Sequence, residues 1–155
     1  MFKGYFGNEE ATKAVLSTEG ILYTGDLGYM DEKGLHLSGR RKFIIKPKGF
    51  QVFPPEVEDF IPEMPEVEFV GVIGAEHKIF TNGIVAYIKV HEGMTLMEEK
   101  VLEHCKGMAA YKRPSLVVFL EEFPLNRGAK TDYLALKERV DKDIEEAITK
   151  GGWDT

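Results

Sequence analysis

"GRRKFIIKPKGFQVFPPEVE" occupies residues 39–58 and combines features that a segment with only a structural task seldom needs together. Basic side chains at Arg40, Arg41, Lys42 and Lys46 flank a short apolar run over 43–45, a Lys48-Gly49 pair follows, and Pro54-Pro55 opens an acidic stretch. Proline has no N–H to give a sheet, and its fixed φ suits a first helical turn. The stretch therefore predicts a hairpin with arms at 43–46 and 51–53, then a helix over 55–61. Cations beside an apolar strand also protect an edge from association. Gly49 allows positive φ for a plain turn as readily as for close approach to a ligand. On these residues alone, both readings stay open.

Downstream, the elements become regular. Apolar, β-branched runs at 67–73 and 83–90, joined by a polar loop at 77–82, read as strands. Thr95 and Glu98 have the spacing of a capping box. The helix they would open carries Met97, Val101, Cys105 and Met108 on one face and ends near 107–110. A buried strand is expected at 115–120 and a loop at 124–129. Asp132 is placed to cap a last helix in which Leu136, Val140, Ile144 and Ile148 recur every four residues. Upstream, residues 1–39 are glycine-rich and turn-dense, with strands expected at 20–23 and 35–37 around "DEKG" at 31–34 and little core. The expected fold class is α+β: a small mixed β-sheet flanked by helices, with the 43–53 β-hairpin at its N-terminal side.

The 155 residues, 43% hydrophobic and 30% charged, suffice for one well-packed domain with some chain left over. A net charge of -6 argues against nucleic acid or anionic membrane as a general partner. No apolar stretch approaches the ~18 residues of a membrane-spanning helix, and no basic-then-apolar leader opens the chain. With one cysteine, Cys105, expected to be a buried hydrophobe, a reducing cytoplasm fits best. His36, His77, His91 and His104 lack ligand spacing with Cys105, so no metal site is expected. Trp153 is expected to pack against protein and not to stack on a base.

Two further stretches bear on chemistry. In "YTGDLG" at 23–28, Asp26 in a glycine-flanked turn could accept hydrogen bonds from a vicinal diol such as ribose, or be a plain turn residue. In "PLNRGAKTDY" at 124–133, Lys130 stands on a loop just before a helix. There a flexible lysine could swing its charge onto a phosphoryl group, or simply face water.

Taken in order, these stretches resemble the C-terminal part of adenylate-forming (AMP-binding) enzymes, of the acyl- and aryl-CoA ligase type. "GYFGNEEATK" is similar to the family's G-Y-x-x-x-P-E-x-T segment and "YTGDLG" to its Y-x-T-G-D motif. The 39–58 stretch resembles its R-x-K-x-x-I-K-x-x-G-x-x-V-x-P-x-E-x-E hinge motif, and "YKRPSLVVFLEEFPLNRGAKTD" completes the likeness. The resemblance implies that residues 1–39 are the tail of a large AMP-binding domain and 40–155 a C-terminal lid domain. Asp26 and Arg40 would bind the nucleotide, and Lys42 would be the hinge. Lys130 would be catalytic in adenylation, while Lys46 and Gly49 would belong to the loop that enters for thioester formation with CoA.

ATP, Mg2+ and coenzyme A would serve the complete enzyme, with a small carboxylic acid as substrate and the N-terminal domain, whose phosphate loop has no counterpart here, as partner. Without it, this chain is expected to be inactive. Adenylation of amino acids, transfer to a carrier protein, and a non-catalytic interaction module are the alternatives. Three departures stand out: Ala129 where the family has glycine before its lysine, Pro47 in the hairpin turn, and no proline in "GNEE".

Overall fold

The computed structural model describes residues 2–79 and 81–153. The chain divides into two compact units, residues 1–42 and 43–155.

In the first unit, α1 (Glu9–Val15) is capped by Asn8, whose carboxamide oxygen accepts the Ala11 N–H at 2.9 Å. Strands β1 (Asp26–Asp31) and β2 (Gly34–Arg40) form an antiparallel hairpin. Its turn is held by the Asp31 carboxylate, which accepts the Lys33 N–H at 2.7 Å. The strand expected at 20–23 is absent: Leu22 makes only one bridge, to Leu16, and the Ser17 hydroxyl takes the Ile21 N–H in a local loop. The segment at 35–37 does lie in β2. No described residue of this unit is buried, and Phe6, Met30, Leu35 and Leu37 face solvent. As expected, there is little core here.

The second unit is an α+β body with a mixed three-stranded sheet. Strands β3 (Val67–His77) and β4 (Thr81–Val90) pair antiparallel, and β5 (Leu116–Phe119) lies parallel to β4, in the order β3-β4-β5. A parallel neighbour requires a crossover, which α3 (Glu98–His104) supplies. Even-numbered residues Val72, Ile84, Ala86 and Ile88 face one core with Ile45, Val52, Val57, Val101 and Cys105. Odd-numbered Ile73, Ala75, Val85 and Tyr87 face a second, with Leu136, Val140 and Trp153. Covered on both faces, β3 and β4 need no polar alternation, which is why they read as continuous apolar runs.

Several boundaries differ from the sequence expectation. The 43–53 hairpin reduces to one bridge, Ile45 with Val52, closed by two N–H···O bonds of 2.9 Å. Short 3-10 turns form at Arg41–Phe43, ahead of the bridge, and at Pro47–Gly49, between its two residues, where Pro47 cannot donate and Lys48 and Gly49 both take positive φ. The helix after the prolines, α2 (Pro54–Glu58), stops early, and a 3-10 turn at Ile61–Glu63 follows. Strands β3 and β4 outrun their apolar cores because their antiparallel ladder continues to His77 and Thr81.

The capping box does not form. Met97 is the N-cap of α3 without a side-chain bond, and its side chain is exposed, while Leu96 is buried instead. Cys105 is fully buried, and burial pushes its thiol up to about 11.

Helix α4 (Tyr133–Thr149) is capped by Asp132 as expected, but its buried stripe is Leu136, Val140, Asp143 and Ala147. Steps of four residues advance about 40° each around a helix, so Ile148 has rotated out to solvent. Asp143 tolerates burial because it accepts from the Tyr87 hydroxyl at 2.9 Å and from Arg139 Nε at 2.8 Å. Burial works to raise its carboxyl, yet the bonds from Arg139 and Tyr87 outweigh that and hold it below the ordinary value.

Candidate functional site

Asp26 opens β1 opposite Arg40, the last residue of β2, so the hairpin itself sets them side by side. Arg40 Nε lies 3.1 Å from Asp26 Oδ1. Gly25, at φ 77, bends the chain ahead of the strand, and its carbonyl accepts the Arg41 N–H at 2.8 Å. Asp26 is therefore a strand-end residue that follows the glycine turn and does not lie within it. Thr24, Gly25, Arg40, Arg41 and Lys42 line a groove of about 530 Å³. A carboxylate carries about four acceptor sites, so one ion pair leaves Asp26 able to receive a diol, with cations close by.

Lys46 and Gly49 share one tight loop. Ile45 and Pro47 are buried on either side of exposed Lys46, whose N–H donates to Asn82 Oδ1 at 3.3 Å. The positive φ values of Lys48 (51°) and Gly49 (83°) turn the chain so that the Phe50 N–H reaches the Pro47 carbonyl at 3.0 Å. The Phe50 ring then stacks on Tyr111, centroids 4.5 Å apart and 15° from parallel. Beside this pair, Pro47, Lys48 and Arg113 help line a groove of about 340 Å³. Arg113 is fixed by bonds of 3.0 Å from Nε to the Met108 carbonyl and from Nη2 to the Lys106 carbonyl. Neither Tyr111 nor Arg113 was singled out from sequence, although "YKRP", an aromatic followed by cations ahead of a strand, carried the signal.

Lys130 is exposed on a loop that is tied more firmly than its composition suggests. Asn126 Oδ1 accepts the Gly128 N–H at 2.8 Å and the Lys130 N–H at 3.3 Å. The Asn126 N–H donates to the Lys130 carbonyl at 2.8 Å and the Asp132 N–H to the Pro124 carbonyl at 2.9 Å. Ala129, in place of the expected glycine, takes φ 55. Thr131 packs into a notch at Gly71, where even a methyl group would come within 2.9 Å of Thr131 Cγ2.

One turn later, the Tyr133 hydroxyl donates to both oxygens of Glu58, at 2.9 and 2.8 Å, and Glu58 Oε1 also accepts the Val72 N–H at 2.8 Å. Burial raises the Glu58 carboxyl, partly offset by those two donors. Burial, then the Glu58 charge, raises the Tyr133 hydroxyl. No periodicity in the sequence pointed to Glu58 or Tyr133.

The structure thus joins Asp26 to Arg40, and Lys46 to Gly49, but it sets Lys130 apart from Lys46. Ile45 lies over Gly74 on the even-numbered face of the sheet, whereas Thr131 lies over Gly71 on the odd-numbered face.

Residues 56–130 match the AMP-binding enzyme C-terminal domain. The chain carries this domain. It is homologous to the C-terminal region of acyl-CoA ligases. The peroxisomal OPC-8:0-CoA ligase 1 of Arabidopsis thaliana is 40% identical over 132 residues, 84% of this chain and 24% of that protein. Among solved structures, ATP-bound MatB of Rhodopseudomonas palustris is 37% identical with a TM-score of 0.80, over 89% of this chain and 28% of that one. The o-succinylbenzoate CoA synthetase MenE of Bacillus subtilis, in complex with the acyl-adenylate OSB-AMP, is 35% identical with a TM-score of 0.75, over 83% and 26%.

The chain thus spans about a quarter of the length of the relatives it matches. The domain match opens inside α2 and ends on Lys130. Asp26, Arg40, Lys42, Lys46 and Gly49 precede it. No described helix is long and apolar enough to cross a membrane.

Proposed function

We propose that this chain is the lid of an ATP-dependent acid:CoA ligase, with residues 1–39 belonging to the large AMP-binding domain and 40–155 forming the mobile part. In the first half-reaction, a carboxylate oxygen attacks the α-phosphorus of ATP and pyrophosphate leaves, giving acyl-AMP. In the second, the CoA sulfur attacks the acyl carbon, its proton is lost, and AMP leaves. Asp26 accepts hydrogen bonds from the ribose hydroxyls and Arg40 steadies that carboxylate beside the phosphates. Lys130 neutralises charge growing between carboxylate and α-phosphate. ATP enters as its Mg2+ complex, and among the described residues no group of three or more His, Cys, Asp or Glu is placed to hold the ion.

The observation that carries this reading is that the neighbours of Lys46 and Lys130, Ile45 and Thr131, pack on opposite sheet faces. One pose cannot offer both faces to the same carbonyl, whereas rotation about Lys42 presents them in turn, after pyrophosphate has left and before thiol arrives. The stacked Phe50–Tyr111 pair beside Lys48 and Arg113 supports CoA as acceptor, since a nucleotide-bearing thiol brings both a base and phosphates.

The test joins this chain to the N-terminal part of a CoA-ligase relative and measures each half-reaction separately. Lys130→Ala is expected to slow acyl-AMP formation by on the order of 10² while sparing thioester formation from supplied acyl-AMP. Lys42→Pro is expected to do the reverse, because a fixed φ hinders rotation. Equal loss in both steps for either variant would refute the alternation.

A further inference from the structure

The loop that carries Lys130 ends in a residue whose surroundings reach back to the hinge. Tyr133, the first residue of α4, gives its hydroxyl to Glu58, the last residue of α2. Glu58 in turn holds the Val72 N–H, so one carboxylate ties together α2, β3 and the start of α4. Phe43, directly after Lys42, sets its ring against Tyr133 with centroids 5.0 Å apart and an interplanar angle of 31°. The hydroxyl and the ring of Tyr133 thus serve two different neighbours, and both neighbours belong to the segment between the hinge and the sheet.

We propose that Tyr133 is a positioning residue for Lys130: Glu58 clamps its hydroxyl, Phe43 seats its ring, and the lysine loop consequently moves as one piece with the chain that follows Lys42. A flexible loop would have to find its place after each rotation. A clamped one arrives with the lysine already placed, and misplacement by about 1 Å can cost on the order of 10² in rate. The remaining ties of the loop, Asn126 within it and Thr131 at Gly71, fix its shape. Tyr133 relates that shape to the hinge side. This inference rests on the reading that Lys130 acts in adenylation.

Two measurements decide it. In the 155-residue chain, Tyr133→Phe keeps the ring and removes the hydroxyl. Amide exchange at Ala129, Lys130 and Asp132 is expected to quicken about 10-fold or more, with Val85 and Tyr87 unchanged. In the ligase made by joining this chain to a relative's N-terminal part, the same variant is expected to lower kcat for adenylation about 10-fold or more. KM for ATP and the thioester step from supplied acyl-AMP should hold. Glu58→Gln, which keeps an acceptor for the hydroxyl, is expected to recover most of the rate relative to Glu58→Ala. Unchanged loop exchange, or equal loss in both half-reactions, would overturn the proposal. Lys130→Ala in parallel separates the two ideas. If it slows adenylation and Tyr133→Phe does not, only the positioning role fails. If Lys130→Ala itself has no effect, the underlying reading fails, and this proposal with it.

Discussion

Lys46 and Lys130 belong to segments that pack on opposite faces of one three-stranded sheet, through Ile45 over Gly74 and Thr131 over Gly71. Three residues along β3 separate the two contacts, roughly 10 Å at strand rise. An odd number of steps along a strand changes face, so the glycine spacing itself puts the segments that carry the two lysines on opposite faces, through Ile45 and Thr131. Both glycines are needed: a methyl at Gly74 would come within 2.8 Å of Ile45 Cγ2, and one at Gly71 within 2.8 Å of Leu136 Cδ1.

Gly71→Ala should therefore be costly. The added carbon meets Leu136, Thr131 and Phe123 at 2.8 to 3.0 Å, and overpacking of this kind costs about 1–3 kcal/mol. Urea unfolding of the chain would measure it. A variant as stable as the parent would mean that Thr131 does not seat where described.

Ala129→Gly should act in the opposite direction. Ala129 holds φ 55, a left-handed conformation that costs a non-glycine residue roughly 1–2 kcal/mol. Glycine removes that strain but adds freedom to the unfolded chain. The expected net gain is about 0.5–1 kcal/mol, read as a higher denaturation midpoint with unchanged m-value.

Glu58 should leave a mark on the pH dependence of stability. Burial raises its carboxyl above the ordinary 4.5, so in the window above that value the folded state binds more protons than the unfolded one. The stability it contributes is fully present below the unfolded pKa and is lost as pH rises through the folded pKa. As pH rises from below the ordinary carboxyl value to well above it, the parent should lose stability relative to Glu58→Gln, which cannot ionise. A constant gap between the two thermal midpoints across that range would contradict the assignment.

Asp26→Ala, made in the joined ligase, should lower kcat/KM for ATP in adenylation by about 1–3 kcal/mol, the scale of losing a charged acceptor. The neighbouring Arg40 would lose its ion pair at the same time, so Asp26→Asn, which keeps one acceptor, should fall between. ATP kinetics equal to the parent's would remove Asp26 from the nucleotide site.

Much of the fold was legible in the chain itself. Apolar runs too long to alternate marked β3 and β4 as strands covered on both faces, Asp132 marked the start of α4, and the double proline marked α2. These signals are local: a cap, a missing N–H or a run of β-branched side chains acts on its own few residues. The likeness to adenylate-forming enzymes was equally legible, because the glycines, prolines and lysines of its motifs stand at set spacings.

What required the tertiary structure was every relation between distant segments. The 43–53 hairpin kept only the bridge between Ile45 and Val52, the two residues it packs into a core made by other elements. Asp143 became a buried residue because Tyr87, 56 positions away, offers it a hydroxyl. Glu58 and Tyr133, 75 positions apart, share a hydrogen bond that no periodicity announces. Which face each lysine loop occupies followed from strand parity at Gly71 and Gly74, and parity has meaning only once the strands are paired. Propensity and capping act within a turn or two of chain, while burial and pairing depend on the whole packed body, so the elements could be read from the sequence and the site had to be assembled.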